Sequence, residues 1–150
     1  MDTSSLYQVN LKWASGRKGL ISSPVLDTAI EVATPPEFPH GVPGIWSPEH
    51  LLVAAVNSCF MTTFLAIAEN SKLSFMNFGC SAIGKLAKVE GKYMISEIIL
   101  SPELTLANAG DEDKAMKVLG KSEAACLISN SVKCVILMRP EIKLLSPSTL

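Results

Sequence analysis

The sequence has few of the residues on which metal, nucleotide and nucleic-acid sites usually depend. Its 150 residues include only two histidines, and its four cysteines form no C-x-x-C pair and no zinc-finger spacing with a histidine. The motifs G-x-G-x-x-G, H-E-x-x-H and G-x-S-x-G are absent. Charged residues make up 18% of the chain, and its 13 lysines and arginines form no basic stripe. We therefore expect no bound cofactor, no metal and no nucleic-acid partner.

A secretory leader is also missing from the sequence. The first residues lack a basic segment followed by an apolar run, so we expect no signal peptide. The cysteines show no disulfide framework, which favours a cytoplasmic protein with reduced thiols. Hydrophobic residues make up 48%, enough for one domain over residues 1–150 and for a further interface between subunits.

The first third of the chain alternates apolar and polar residues as half-buried strands do. Tyr7, Val9, Leu11 and Trp13 predict the first strand, and the glycines of residues 15–19 predict a hairpin turn. A short second strand and a third over residues 26–33 follow. The proline-rich segment 34–46 is predicted to be a surface loop.

A long helix is predicted after this loop. Ser47 suits the N-cap, Pro48 the first helical position and Glu49 the positive end of the helix dipole. Residues 51–68 contain no charge, which is typical of a helix buried on all sides or of a membrane span. We expect the buried helix and no membrane contact, because polar residues interrupt the run and strands dominate the remaining chain.

The second half predicts a long hairpin, a helix and a last strand. Residues 75–89 and 93–106 are the two arms of the hairpin, with a bend near Pro102. Acidic residues from Asp111 begin the second helix, and the apolar residues 132–138 predict a central strand before Pro140 and a Ser-Pro-rich end. The order β-β-β-α-β-β-α-β indicates an α+β fold with antiparallel pairing.

The four cysteines differ in their predicted surroundings. Cys80 and Cys134 lie in strands among apolar neighbours, and we interpret them as packing residues. Cys59 lies on a face of small residues in the first helix, and Cys126 is predicted on the inner face of the second. If these helices pack together, the two sulfurs can meet.

Two segments resemble the OsmC/Ohr family, the osmotically inducible and organic hydroperoxide resistance thiol peroxidases. The first is Ser47-Pro48-Glu49-His50-Leu51-Leu52-Val53-Ala54-Ala55, followed by Ser58-Cys59-Phe60. The second is Ala124-Ala125-Cys126-Leu127-Ile128-Ser129-Asn130-Ser131, similar to the segment around the family's second cysteine. The separation of 67 residues between Cys59 and Cys126 is typical of the family. Leu127 stands where the family usually has proline.

The resemblance implies a role for four residues. Cys59 would be the peroxidatic nucleophile, and Cys126 would resolve its sulfenic acid as a disulfide. Arg17, in the first hairpin, would supply the cation that a thiolate needs, and Glu49 would orient that arginine. The implied fold is a pair of antiparallel sheets around two central helices in an intertwined homodimer. The implied substrates are an organic hydroperoxide and a dithiol reductant, for which the family suggests the lipoyl type.

The spacing of Glu49 and Cys59 adds one expectation about the site. Ten residues of straight helix separate their Cα atoms by about 15 Å, so one arginine would not bridge both within a single subunit. If the three residues converge, either Glu49 acts from a second subunit, which we expect, or the start of the helix is displaced. Two alternatives stay open: a non-catalytic module that binds a small molecule or acyl chain, with incidental cysteines, and a small integral membrane protein.

Overall fold

The structure is a computed structural model that describes residues 4–145. The Ser-Pro-rich end predicted from the sequence lies largely outside the described residues. The chain forms two compact units, Met1–Leu51 and Leu52–Leu150. The assignment of residues 1–150 to one domain stays a prediction.

The first unit contains an antiparallel sheet of three strands in chain order. The glycine in the first hairpin turn, Gly16, has φ +55°, a conformation that glycine adopts without steric cost. The three strands and their order confirm the interpretation of the alternating pattern. The strands are β1 (Asn10–Ser15), β2 (Lys18–Ser23) and β3 (Leu26–Ala33).

The prediction that β1 is half-buried was wrong. All six of its side chains are exposed, Leu11 and Trp13 among them. The alternation that indicates one apolar face is present, but no described part of the chain covers that face. An exposed apolar strand of this kind is typical of an interface.

The proline-rich loop leads into α1 (Pro48–Asn70) as predicted. Two backbone bonds hold the loop against the end of β3: Ala33 donates to the Trp46 carbonyl, and Val42 to the Thr34 carbonyl, each at 2.9 Å. The buried Ser47 caps the helix, because its Oγ accepts the His50 N–H at 3.1 Å. The capping motif therefore fixes where the helix begins.

The second unit contains a four-stranded sheet with β5 at its centre. Strands β4 and β5 form a long antiparallel hairpin, and both β6 and β7 pair with β5 in parallel, one after the other along its length. The elements are β4 (Asn77–Val89), β5 (Lys92–Leu106), α2 (Glu112–Ala125), β6 (Val135–Met138) and β7 (Glu141–Leu144), with 3₁₀ turns at Ala109–Asp111 and Ser129–Ser131.

Two predictions for the end of the chain need correction. The last apolar strand was expected at the centre of the sheet, but β5 occupies the centre and β6 pairs with β5 alone among the described strands. A further strand, β7, follows Pro140. Proline ends β6, and a second short strand then continues along the same neighbour.

The core of the second unit joins α1, α2 and β5. Val56, Phe60 and Phe64 are buried on one side of α1, and the Phe64 ring stacks on Phe78 of β4 with centroids 4.5 Å apart. By length and composition alone, α1 is long and apolar enough to cross a membrane. The core helices of soluble proteins can have the same length and composition. The packing of α1 on the sheet buries the face that carries Phe60 and leaves Cys59 at the edge of that face.

Candidate functional site

Cys59 lies in the middle of α1, next to a residue of the core. Its neighbour Phe60 is fully buried, whereas the Cys59 side chain is half-buried. Thr63, one helical turn further on, places its Oγ 3.9 Å from the Cys59 sulfur. The thiol therefore sits at the boundary between the core and the surface, where a second reactant can reach it.

Cys126 was predicted to lie on the inner face of α2, but it is the first residue after the helix. The helix ends at Ala125, and Cys126 leaves it with φ −64° and ψ 114°, an extended conformation. Its N–H still donates to the Glu123 carbonyl, and its side chain is fully buried. The Cys126 side chain is one of the groups whose hydrogen bonding lowers the pKa of Cys59, so the two side chains lie close together. That their sulfurs form a disulfide stays a prediction.

The surroundings of the Cys59 sulfur favour the thiolate. Partial burial raises the pKa of Cys59, but hydrogen bonds to the sulfur outweigh this effect and leave the pKa below its ordinary value. The hydrogen bonds come from the backbone of Ile128, the thiol of Cys126, the hydroxyl of Thr63 and the backbone of Leu127. All of these groups belong to the second unit.

Cys80 and Cys134 pack against the core as predicted, although Cys134 lies one residue before β6 and not in a strand. Both are partly buried against the core of the second unit, and both are free thiols. Burial raises the pKa of Cys80 to about 11, against a smaller opposing effect of a backbone hydrogen bond at Ser101. Cys80 is therefore protonated at neutral pH, and the direction of its pKa shift is opposite to that of Cys59.

Arg17 and Glu49 belong to the first unit. Arg17 occupies the β1–β2 turn, as predicted, and its carbonyl accepts the Thr34 N–H at 3.3 Å. Glu49 lies in the first turn of α1. Both ion pairs in residues 4–145 are formed by Lys143, so Arg17 and Glu49 do not pair with each other within the described chain. Their placement near Cys59 stays a prediction.

A concave surface of about 300 Å³ surrounds the Arg17 turn in the first unit. Its lining is largely apolar, with Leu11, Trp13 and Val32 beside the cations Arg17 and Lys18. The Trp13 indole donates to the Gly16 carbonyl at 3.0 Å, which fixes the ring against the turn. An apolar hollow with a guanidinium at its edge suits a molecule that is apolar with one polar end.

The arrangement of the strands, the helices and the two thiols has counterparts among known proteins. Residues 41–139, more than half of the chain, match the family described as OsmC-like protein. The chain belongs to the OsmC-like family. The matched segment includes Cys59 and Cys126, and it begins within the loop that precedes α1.

The proteins similar to this OsmC-like chain include some named for organic hydroperoxide resistance and some of unknown function. The uncharacterized protein YmaD of Bacillus subtilis (strain 168) is 26% identical over 132 residues, covering 85% of this chain and 86% of YmaD. An OsmC-like protein of unknown function from Vibrio cholerae has a TM-score of 0.83 at 21% identity, covering 91% and 99% of the two chains. An organic hydroperoxide resistance protein from Elizabethkingia anophelis has a TM-score of 0.76 at 18% identity, covering 97% and 100%. The α+β fold with two sheets and two helices is thereby confirmed. Its first sheet and the β4–β5 hairpin are antiparallel as predicted, whereas β6 and β7 pair with β5 in parallel.

Three groups at this OsmC-like site were not predicted as functional: the Thr63 hydroxyl and the backbones of Leu127 and Ile128. Thr63 had a signal in the sequence, since it lies four residues after Cys59 on the same helix face. The backbones of Leu127 and Ile128 gave no signal in the sequence, because any residue except proline carries a backbone N–H. Their role depends on how the chain turns after α2.

Proposed function

We propose that this chain is a thiol-dependent peroxidase that reduces organic hydroperoxides. The observation that carries the proposal is the contact between two free thiols, of which one, Cys59, has a lowered pKa. A nucleophilic thiolate and a second cysteine within reach are what a two-cysteine peroxidase needs. The organic hydroperoxide resistance proteins among the structural neighbours support the same class of reaction.

The first step is attack of the Cys59 thiolate on a peroxide oxygen. The S–O bond forms, the O–O bond breaks, and the alkoxide leaves with a proton as the alcohol. Cys59 is thereby oxidised to a sulfenic acid, and the peroxide is reduced by two electrons. The hydrogen bonds to the sulfur favour this step, because they lower the pKa of Cys59 and so increase the share of thiolate.

The second step is attack of the Cys126 sulfur on the sulfur of the Cys59 sulfenic acid. The S–S bond forms, the S–O bond breaks, and the hydroxyl leaves as water with the Cys126 proton. An external dithiol of the lipoyl type then reduces the Cys59–Cys126 disulfide and is itself oxidised to a disulfide. The burial of Cys126 keeps its thiol away from other oxidants until Cys59 has reacted.

We further propose that the active enzyme is a homodimer in which Arg17 and Glu49 complete the site. The exposed apolar side chains of β1 and of α1, among them Trp13, Met61 and Leu65, support a second copy as the covering partner. A guanidinium near the sulfur would add to the hydrogen bonds that already favour the thiolate, and the Glu49 carboxylate would fix its orientation.

Replacement of Arg17 by alanine is expected to slow the alkylation of Cys59 at pH 7 by at least about tenfold, the size of effect expected for an opposite charge within hydrogen-bonding range. Arg17→Lys should restore only part of the rate, because an ammonium lacks the planar fork that holds two anions. The measurement is the rate of Cys59 alkylation against pH. If Arg17→Ala alkylates at the wild-type rate at every pH, Arg17 is not part of the proposed site.

The decisive experiment treats the reduced protein with one equivalent of cumene hydroperoxide. We expect one molecule of alcohol per chain and a mass lower by two hydrogens, with the Cys59 and Cys126 peptides linked. Addition of dihydrolipoamide should then restore both thiols and permit further turnover. If the peroxide persists and all four thiols stay free, the chain is no peroxidase, and the acyl-binding module becomes the better hypothesis.

A further inference from the structure

The sheet of the second unit is interrupted where β6 ends and β7 begins. β6 pairs with β5 as far as Leu100, and β7 resumes the pairing at Glu103. Arg139 and Pro140 span this break, and the Arg139 N–H donates to the Leu100 carbonyl at 2.8 Å. Pro102 lies beside the break on β5. Because neither proline has an N–H to donate, the sequence itself interrupts the ladder here.

A hollow of about 280 Å³ lies at this break, largely on the outer face of the sheet. Gly79 and Ser81 of β4 line it and are exposed, whereas Phe78 and Cys80 alternate with them and pack against the core. Gly79 stands opposite Glu103 in the register, and a Cβ built on Gly79 would meet no atom within 4 Å. The missing side chain therefore leaves open space that a larger residue would fill.

Charges of both signs line this hollow without pairing with each other. Arg139 lies at the break, and Glu103 and Glu141 stand side by side on β5 and β7. Both carboxylates instead approach Lys143, with Nζ–Oε1 distances of 3.7 and 3.9 Å, and Arg139 forms no ion pair within residues 4–145. Because one lysine neutralises only one of the two carboxylates, the walls of the hollow keep one negative and one positive charge.

We propose that this hollow binds a small zwitterion of the α-amino acid class, with its carboxylate on Arg139 and its ammonium between Glu103 and Glu141. A guanidinium presents a planar fork that holds a carboxylate with two hydrogen bonds, and an ammonium donates well to carboxylates. A simple anion would be repelled by the two glutamates, and a simple cation by the arginine. A molecule that carries both charges is attracted by both walls.

Two serine hydroxyls and the size of the hollow narrow the class of ligand. Ser81 and Ser101 are direct partners in the β4–β5 register, and both line the hollow. A hydroxyl can donate to the ligand carboxylate or accept from its ammonium, so this pair suits either end of the ligand. The volume is near the lower limit of about 300 Å³ for ligand pockets, which favours a small amino acid over a cofactor.

The test follows the backbone resonances of the ¹⁵N-labelled full chain by NMR during titration with ligand. The probes are glycine, L-alanine and L-serine, with acetate and methylammonium as probes that carry a single charge. We expect saturable shifts at Ser81 and Arg139 with the amino acids, and no saturable shift with either single-charge probe at the same concentrations. Arg139→Gln and Glu141→Gln should each weaken the binding of the amino acids by at least about tenfold, since each loses a charge-assisted hydrogen bond.

Two further variants separate the hollow from the general charge of the surface. Gly79→Val fills the hollow and keeps every charge, so it should abolish the saturable shifts. Lys92→Gln removes a charge at the β4–β5 turn, outside the hollow, and should keep the wild-type affinity. Far-UV circular dichroism and thermal melting establish that each variant is folded.

Three results would overturn the proposed zwitterion site. These are no saturable shift with any of the three amino acids, binding of acetate or methylammonium as tight as that of glycine, and wild-type affinity in folded Arg139→Gln. The titration needs no peroxide, and none of the variants changes Cys59 or Cys126. The zwitterion site and the proposed peroxidase activity can therefore fail independently.

Discussion

Replacement of Cys59 by serine is expected to reduce peroxide consumption to the background rate while leaving the fold intact. Serine is close to cysteine in size, and the site is half-buried, so the packing of α1 should persist. The hydroxyl is a far weaker nucleophile than the thiolate at neutral pH, even with the same hydrogen-bond donors around it. The measurement is loss of cumene hydroperoxide in the presence of a dithiol.

The matched controls for this variant are Cys80→Ser and Cys134→Ser. With a pKa of about 11, Cys80 carries a thiolate in only about one molecule in ten thousand at pH 7, so its removal should leave most of the activity. A stability measurement accompanies each control, because both residues pack against the core. If turnover survives in Cys59→Ser and disappears in Cys80→Ser, the nucleophile is Cys80 of β4 and not Cys59.

Elements with a local signal were predictable from the sequence. The alternation of the first strands, the cap at Ser47 and the acidic start of α2 each depend on neighbours within four residues. The four-residue strand β7 after Pro140 gave no such signal. Its pairing, like the parallel direction of β6, is decided by contacts with β5, more than thirty residues away in the chain.

The site shows the same division between local and long-range signals. The two cysteines stood out through their resemblance to a family, and their contact depended on the packing of two elements 67 residues apart. The assignment of Cys126 to a helix was wrong because small residues precede it and nothing in the sequence marks the end of α2. That end places Cys126 outside the helix, with its side chain fully buried.

The burial of β1 could not be judged from one chain. Its alternation indicates an apolar face, yet the face is exposed in the described structure. Composition anticipated this outcome, because a chain with 48% hydrophobic residues and 18% charged residues has more apolar surface than a small domain covers. An apolar face that stays exposed within residues 4–145 supports the proposed homodimer.

Replacement of Cys126 by serine is expected to convert a cycling enzyme into one that reacts once. The variant keeps Cys59 and, through the serine hydroxyl, a donor to its sulfur, so the first oxidation should proceed at a rate near that of the wild type. No thiol then condenses with the sulfenic acid. Further peroxide should oxidise Cys59 to the sulfinic acid, which a dithiol does not reverse.

Intact-mass spectrometry distinguishes the two fates of the oxidised protein. In the wild type we expect the loss of two hydrogens, and in Cys126→Ser the gain of two oxygen atoms on the peptide that contains Cys59. Cys126→Ala serves as the matched comparison, because it removes the donor together with the resolving thiol and should also slow the first oxidation. Sustained turnover in Cys126→Ser without sulfinic acid would show that a dithiol reduces the sulfenic acid directly, and the contact between the two thiols would then serve only to lower the pKa of Cys59.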